Sequence, residues 1–334
     1  MNISAVIPTR NRPSSLRRVL RCLSLQTLAP AEVIIVDASD VPLCADDVTH
    51  EFPALRFRFF HTAPGLCKQR NVGIRQSTRE CIFLCDDDIE FSRTYLASLA
   101  EYLGRHAASA AVSGEILEQD AAGVFRAARS AGSVWWLLWC FLFQFTVWQN
   151  VDQIHSSPPA RALLTALQRY NRRRGNTVTA AGWPLVTQMG RPVYSALVYG
   201  LGASLIRRSC LQDPPFDEAL HISGIGDHYG VAIGFPGREP ITVIASEPLR
   251  HYREGSGRVA PEEAFALRVF ALDRFMHRSP RFGRLNTLAL RWSLVGYCLF
   301  FLRSGDTAMM KSAWHTLLAL LFGRNPYRKG EGKT

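Results

Sequence analysis

The chain has 334 residues, 47% of them hydrophobic, and a formal net charge of +11, which excludes a disordered chain and leaves enough material for one large domain with appendages or two modest ones. Lys plus Arg against Asp plus Glu is 15 against 15 in residues 1–149, 9 against 7 in 150–249 and 15 against 6 in 250–334. The basicity therefore belongs to the last quarter, and it points to an anionic surface approached by one end of the molecule.

In chain order, "ISAVIP" (3–8) reads as a buried strand, and Pro13 opens a helix with Leu16, Val19, Leu20, Leu23 and Leu28 on its apolar face. Charged residues follow the first strand, where a secretory signal would continue with a longer apolar stretch, so a cytoplasmic location is expected. "VIIVD" (33–37), "RFRFF" (56–60), "CIFLC" (81–85) and "AAVSGEI" (110–116) are further strands, and "LCKQRNVGIRQS" (66–77) and "RTYLASLAEYLGRH" (93–106) are helices. This alternation predicts βαβ units on a mostly parallel sheet covered on both faces, with ligands at the carboxyl ends of the strands. Asp37 and the run Asp86, Asp87, Asp88 fall directly after strands and so along that edge. Three adjacent carboxylates suit a hard cation with its anionic ligand; a solvated acidic turn with a helix-capping Asp is the other use of the same residues.

Residues 133–148, "SVWWLLWCFLFQFTVW", hold four of the seven tryptophans and no formal charge. As one helix they would reach roughly 24 Å, short of a bilayer's hydrocarbon core. A single crossing would also separate the early carboxylates from any later catalytic group. An interfacial or re-entrant segment is expected, the alternative being a buried core helix. "RALLTALQRYNRRRG" (161–175) is an amphipathic run with a basic end. From 196 strand texture returns through "ALVYGLGASLI", "PPFDEAL" and "ISGIGDHYGVAIGF" to the strand "ITVIA" (241–245). "LNTLALRWSLVGYCLFFLR" (285–303) and "AMMKSAWHTLLALLFGR" (308–324), separated by "SGD", form a helical hairpin. Arg291 and Lys311 make each a poor independent span, so a hairpin lying on a membrane is expected, flanked by the basic tail "RNPYRKGEGK". The eight cysteines show no CxxC and are expected to be reduced thiols, mostly in the core.

"AVIPTRNRP", "VIIVDAS", "GLCKQRNVGI", "IFLCDDDIEF" and "FDEALHISGIGDHYG", in this order, resemble the family 2 glycosyltransferases, nucleotide-sugar enzymes of GT-A fold, over roughly residues 1–120 and 196–255. The resemblance implies that Pro8, Thr9 and Arg10 lie beside the nucleotide base. It implies further that Asp37 binds base or ribose, and that Lys68, Arg70 and Asn71 lie near the diphosphate. "DDD" is similar to the family's DxD motif, with Asp86 and Asp87 on the donor, Asp86 and Asp88 on Mg²⁺ or Mn²⁺, and His251 in the metal shell or facing the diphosphate. Asp227 aligns with the residue that acts as base. Two departures stand out: Gly226 precedes Asp227 where the family shows Glu, and Ala38 stands where a second Asp is common. The QxxRW signature of processive synthases is absent, which argues for a single sugar addition.

The implied division is a nucleotide-sugar-binding half over 1–120, an apolar and basic insert over 121–195, an acceptor half over 196–258 and a basic membrane-associating region over 259–334. The implied activity is inverting transfer of one sugar from a nucleoside-diphosphate sugar to an acceptor hydroxyl. That acceptor is expected to be a lipid-linked or other saccharide at the inner face of the cell membrane, the chain being held there peripherally on anionic lipid. A Mg-dependent nucleotidyltransferase is the competing enzyme, but "IPTRNRP" offers no glycine-rich phosphate loop. A non-enzymatic basic membrane-binding or nucleic-acid-binding protein is the third reading. Nucleic acid is not an expected partner, because the basic quarter is interleaved with aliphatic runs and has no finger or RNP motif.

Overall fold

The computed structural model describes residues 1–120, 123–127, 132–252 and 259–328. The "REGSGR" stretch after Tyr252, the first residues of the expected insert and the end of the basic tail lie outside the described residues. The elements run β1 (Ile3–Thr9), α1 (Pro13–Ser24), β2 (Glu32–Asp37), α2 (Ala45–Glu51), β3 (Phe57–His61), α3 (Leu66–Gln76), β4 (Cys81–Cys85), β5 (Ile89–Glu90), α4 (Tyr95–Arg105), β6 (Ala111–Gln119) and β7 (Phe125–Ala127). Next come α5 (Val134–Phe143), β8 (Val147–Trp148), α6 (Arg161–Arg174), β9 (Thr177–Val178), β10 (Pro184–Val186), β11 (Val193–Ala196) and β12 (Ala203–Arg207). The chain ends with α7 (Asp227–Gly234), β13 (Ile241–His251), α8 (Pro261–Arg278), α9 (Arg284–Ser304) and α10 (Thr307–Leu321).

The chain divides into two compact units. The first comprises Met1–Ala128, Arg191–Glu218 and Gly234–Ser256; the second comprises Arg129–Gly190, Ala219–Ile233 and Gly257–Thr334. In the first, the sheet order is β11-β13-β6-β12-β4-β1-β2-β3, with β5 on β13 and β7 on β6. β3, β2, β1 and β4 are parallel, and β1, β2 and β4 are buried from end to end, as continuous apolar runs covered on both faces must be. The chain steps outward from β1 through β2 to β3, then returns to place β4 on β1's other side, so the order reverses between the carboxyl ends of β1 and β4. Open α/β sheets bind ligands at such a reversal. β12 then runs antiparallel to both β4 and β6. α1 buries Leu16, Val19, Leu20 and Leu23, the predicted face; Leu28 lies beyond the helix yet still packs on the same core.

In the second unit α5 is shorter than the run 133–148 predicts. Ser133 caps its start by accepting the Trp136 N–H at 3.0 Å. Gln144 ends it in the left-handed region at φ 57°, and its side-chain oxygen accepts the Ala180 N–H at 3.0 Å. Val147–Trp148 then joins a small sheet of order β8-β10-β9. Residues 219–233, which the sequence groups with 196–258, cluster with this unit. The Tyr327 hydroxyl accepts the His221 N–H at 3.1 Å, and Arg281 Nε donates to the Ile233 carbonyl at 3.0 Å. "DHYGVAIG" carries strand texture but forms helix α7, since Gly224 (φ 67°) and Gly226 (φ 93°) build a tight turn into it and Tyr229 packs on Phe275. α9 and α10 form the predicted hairpin. All eight cysteines are free thiols; Cys67, Cys81, Cys85 and Cys140 are buried, and Cys44 is exposed.

Candidate active site at the carboxyl ends of β1 and β4

The loops after β1 and β2 are zipped together by Asn11, whose φ of 54° suits Asn better than most residues. Its amide donates to Asp40 at 2.8 Å and accepts the Asp40 N–H at 3.0 Å, while its own N–H donates to Ser39 Oγ at 2.8 Å. Asp40, held below the usual carboxylate range by hydrogen bonds from Asn11 and Arg10, also carries the exposed Arg10 at 3.3 Å. Gln69, buried at the start of α3, donates to the carbonyls of Thr9 (2.8 Å) and Val36 (2.9 Å) and fixes the helix to both strand ends.

The three carboxylates after β4 are each held by a hydrogen-bonding or charged partner, with Arg12 shared between Asp87 and Asp88, which is how three like charges coexist. Asp86 accepts from Arg70 at 2.5 Å; Arg70 is 2% exposed and lies over the Phe216 ring. Asp87 accepts from Thr9 Oγ1 at 2.7 Å and from Arg12 at 3.2 Å. Burial pushes its carboxyl up to about 6, against the opposing pull of Thr9 and Arg12. Asp88 lies 3.2 Å from His251 Nε2 and 3.7 Å from Arg12. Burial alone would lower the His251 pKa, but hydrogen bonds with Asp88 and Glu118 outweigh it and hold the ring at about 9, hence protonated near neutrality. β5 and the end of β13 bring Asp88 and His251 together: His251 pairs with Ile89, and Tyr252 N–H donates to the Asp88 carbonyl at 2.9 Å.

Thr9, Arg70, Asp86, Asp87, Asp88 and His251 are thus assembled at the sheet's switch point. Pro8 is buried in β1 opposite Val36, and Lys68 is exposed in the first turn of α3. Asp37 spends both oxygens on its own loop, accepting the N–H groups of Ser39 and Leu43 at 2.8 Å each. Asn71 is committed elsewhere: its amide donates to the Phe216 carbonyl and to Glu218 at 2.8 Å and accepts the Phe216 N–H at 3.0 Å. Asp227 belongs to the second unit; it is the buried first residue of α7 and accepts the His228 N–H at 2.6 Å. Gly224 and Gly226, in the left-handed region just before it, form the turn that starts its helix.

Sequence reasoning missed Arg12, Gln69, Glu118 and Gly202. A Cβ on Gly202 would stand 2.0 Å from Asp86 Oδ2, so only glycine leaves room for that carboxylate. Gly202 also accepts the Asp86 N–H at 2.7 Å through its carbonyl. Among the described residues no group of three or more His, Cys, Asp or Glu side chains forms a metal cluster. The donor types of Asp86, Asp88 and His251 nevertheless fit a hard divalent cation, provided the imidazole gives up its proton.

A parallel βαβ sheet with charged side chains gathered at its switch point, continued by antiparallel strands β12 and β6, defines a GT-A type α/β domain. Residues 4–160, a little under half of the chain, match the family model described as Glycosyl transferase family 2. The uncharacterized glycosyltransferase YwdF of Bacillus subtilis (strain 168) is 35% identical over 102 residues, 30% of this chain and 38% of the relative. An uncharacterized glycosyltransferase of Haemophilus influenzae (strain ATCC 51907 / DSM 11121 / KW20 / Rd) is 33% identical over 86 residues, 26% of this chain and 29% of the relative. The matches therefore span well under half the length of either relative. Residues 1–349 of S. aureus TarS superimpose with a TM-score of 0.52 at 15% identity, covering 97% of this chain and 92% of that chain. That likeness establishes the fold.

Proposed function

We propose that the protein transfers one sugar from a nucleoside-diphosphate sugar to an acceptor hydroxyl, with inversion at the anomeric carbon. The observation that carries this reading is the placement of Asp86, Asp87 and Asp88 with Arg12, Arg70 and His251 at the carboxyl ends of β1 and β4. TarS, whose fold this chain shares, has been crystallised with UDP, which supports a nucleoside diphosphate as the donor's leaving group.

A diphosphate leaving group gains negative charge as the C1–O bond breaks, and it needs positive charge already in place. Arg70, buried and aimed by its bond to Asp86, and Lys68 near the amino end of α3 supply that charge. Thr9 and Arg12 hold Asp87 and Asp88 so that the carboxylates cannot swing apart under mutual repulsion. Asp88 and His251, with Asp86 beside them, would hold Mg²⁺ or Mn²⁺, which when bound supplies further neutralisation of the diphosphate. Asp227 is the proposed general base that takes the proton from the acceptor hydroxyl. The acceptor we propose is a lipid-linked saccharide at the cytoplasmic face of the cell membrane.

The test is product analysis with nucleotide-sugar donors in the presence of Mn²⁺. The reading expects nucleoside diphosphate and a glycosylated acceptor; pyrophosphate would instead mark a nucleotidyltransferase. Asp227→Asn should keep donor binding and lose transfer, and near-normal turnover by that variant would sink the base assignment.

A further inference from the structure

Within the second unit the tryptophan-rich insert and the carboxyl-terminal hairpin share a surface. Trp292 Nε1 on α9 donates to the Leu142 carbonyl in α5 at 2.8 Å, across a sequence separation of 150 residues. Its ring stacks on Phe143 at 5.1 Å, and Trp136 of α5 meets Phe300 of α9 at 5.4 Å. One side of α9 is held by protein: Leu290, Ser293, Leu294 and Gly296 are buried, with Trp183 Nε1 donating to Ser293 Oγ at 3.0 Å. The opposite side carries Leu285, Leu288, Trp292, Leu299 and Leu302, exposed by 80, 59, 50, 44 and 66%. Three- and four-residue spacings through Val295 put these on one stripe. Leu142, bonded to Trp292 through its carbonyl, and Trp135 extend the apolar surface onto α5 at 51 and 66% exposure.

An apolar surface of this kind marks a contact site, and charge selects the occupant. α9 contains Arg284, Arg291 and Arg303 and no acidic residue, and α5 contains no charge. Arg291 is engaged with the carbonyls of Thr287 and Leu320, at 3.1 Å each. Arg284 and Arg303 flank the stripe at its two ends, and Lys311 on α10 is exposed nearby in sequence. A second copy laid stripe to stripe would bring arginine towards arginine with no carboxylate on either α9 to answer it. Lipid phosphates would answer it. α9 is long and apolar enough to cross a membrane by length and composition, but a spanning helix has no fixed protein-covered side unless other spans surround it.

We propose that α9 and the end of α5 form one docking face that lies in the plane of an anionic bilayer interface, leucine and tryptophan side chains inserted and Arg284 and Arg303 at headgroup level. This goes beyond the glycosyltransferase reading and does not depend on it. The experiment is sedimentation of the full chain with vesicles of phosphatidylglycerol and phosphatidylcholine, and with phosphatidylcholine alone. The wild type should partition onto the mixed vesicles and be released by salt. Arg284→Glu with Arg303→Glu should lower partitioning by roughly five-fold per charge removed. Leu285→Ser, Leu288→Ser and Leu302→Ser combined should lower it on the order of ten-fold or more. The urea midpoint should be unchanged in both variants, which separates failure of docking from failure to fold. The proposal is overturned if the wild type ignores both vesicle types or binds them equally. It is also overturned if it resists alkaline carbonate and needs detergent for release, as a spanning helix would, or if it forms a dimer that the leucine substitutions dissociate without any vesicle binding.

Discussion

Gly202→Ala adds one methyl group and should act wholly through Asp86. The new Cβ would stand 2.0 Å from Oδ2 and 2.5 Å from Cγ of Asp86, whereas ordinary contacts begin near 3.4 Å. The carboxylate must therefore move by more than about 1 Å, and its 2.5 Å bond to Arg70 breaks. Arg70 is 2% exposed and cannot turn to water. Breaking a buried pair from one side costs about 3–5 kcal/mol. The Asp86 side chain is 25% exposed and keeps some hydration, which reduces the expected loss to about 2–3 kcal/mol. Urea unfolding of wild type, Gly202→Ala, Asp86→Ala and the double variant forms a cycle that isolates the contact. With Asp86 truncated there is no carboxylate to displace, so Gly202→Ala should then cost less than about 0.5 kcal/mol. Equal costs in the two backgrounds, or no cost in either, would refute the reasoning.

Three further outcomes follow from named contacts. Burial would raise the Glu32 pKa, yet hydrogen bonds from Ser4, Thr78 and Arg58 hold it at about 2. Its stabilising contribution is present above the unfolded value near 4.5 and is lost as pH falls towards 2, so Glu32→Gln should cost about 2 kcal/mol at neutral pH and nearly nothing at the acid end. Urea midpoints at both ends of that window check it. His251, faced by Asp88, Glu118 and Asp86, is raised to about 9. Its contribution is complete below about 6.5 and lost as pH rises through 9, so His251→Gln should flatten the alkaline fall in stability; an unchanged slope would contradict the pairing. Asn71→Ala strands the Phe216 N–H and carbonyl and should cost about 2–3 kcal/mol, read by the same unfolding experiment.

Much of the first unit is legible in the sequence because its signals are local. β1, β2 and β4 are uninterrupted apolar runs, and Pro13 with the Leu16–Val19–Leu20–Leu23 spacing announces α1. Thr9, Arg70, Asp86–Asp88 and His251 could be singled out from strand ends and from a family resemblance. The partners of the carboxylates were hidden because long-range pairing creates them. Gly202 reaches Asp86 only through the antiparallel register of β12 on β4, and Glu118 meets His251 because β6 pairs with β13. Arg12 sits in plain view after β1, but nothing local says it turns towards Asp87. The second unit is harder still. α5 is apolar all round, so no period marks where Gln144 ends it. α7 reads as a strand from its Val, Ile and Gly content, whereas in the fold it is a helix packed on Phe275 of α8 and bonded by Arg281. Asn71 and Asp37 carry the motif's residue types and also hydrogen-bond to protein groups, contacts that only geometry reveals.

We propose that the site at the ends of β1 and β4 handles a nucleoside-diphosphate sugar. The most direct measurement is chromatography of the nucleotide products formed from UDP-sugars with Mn²⁺ by the wild type and by Asp88→Ala. Wild type should release UDP in step with glycosylated acceptor, and Asp88→Ala should release almost none. Equal UDP release by the two proteins, or pyrophosphate as the product, would contradict it.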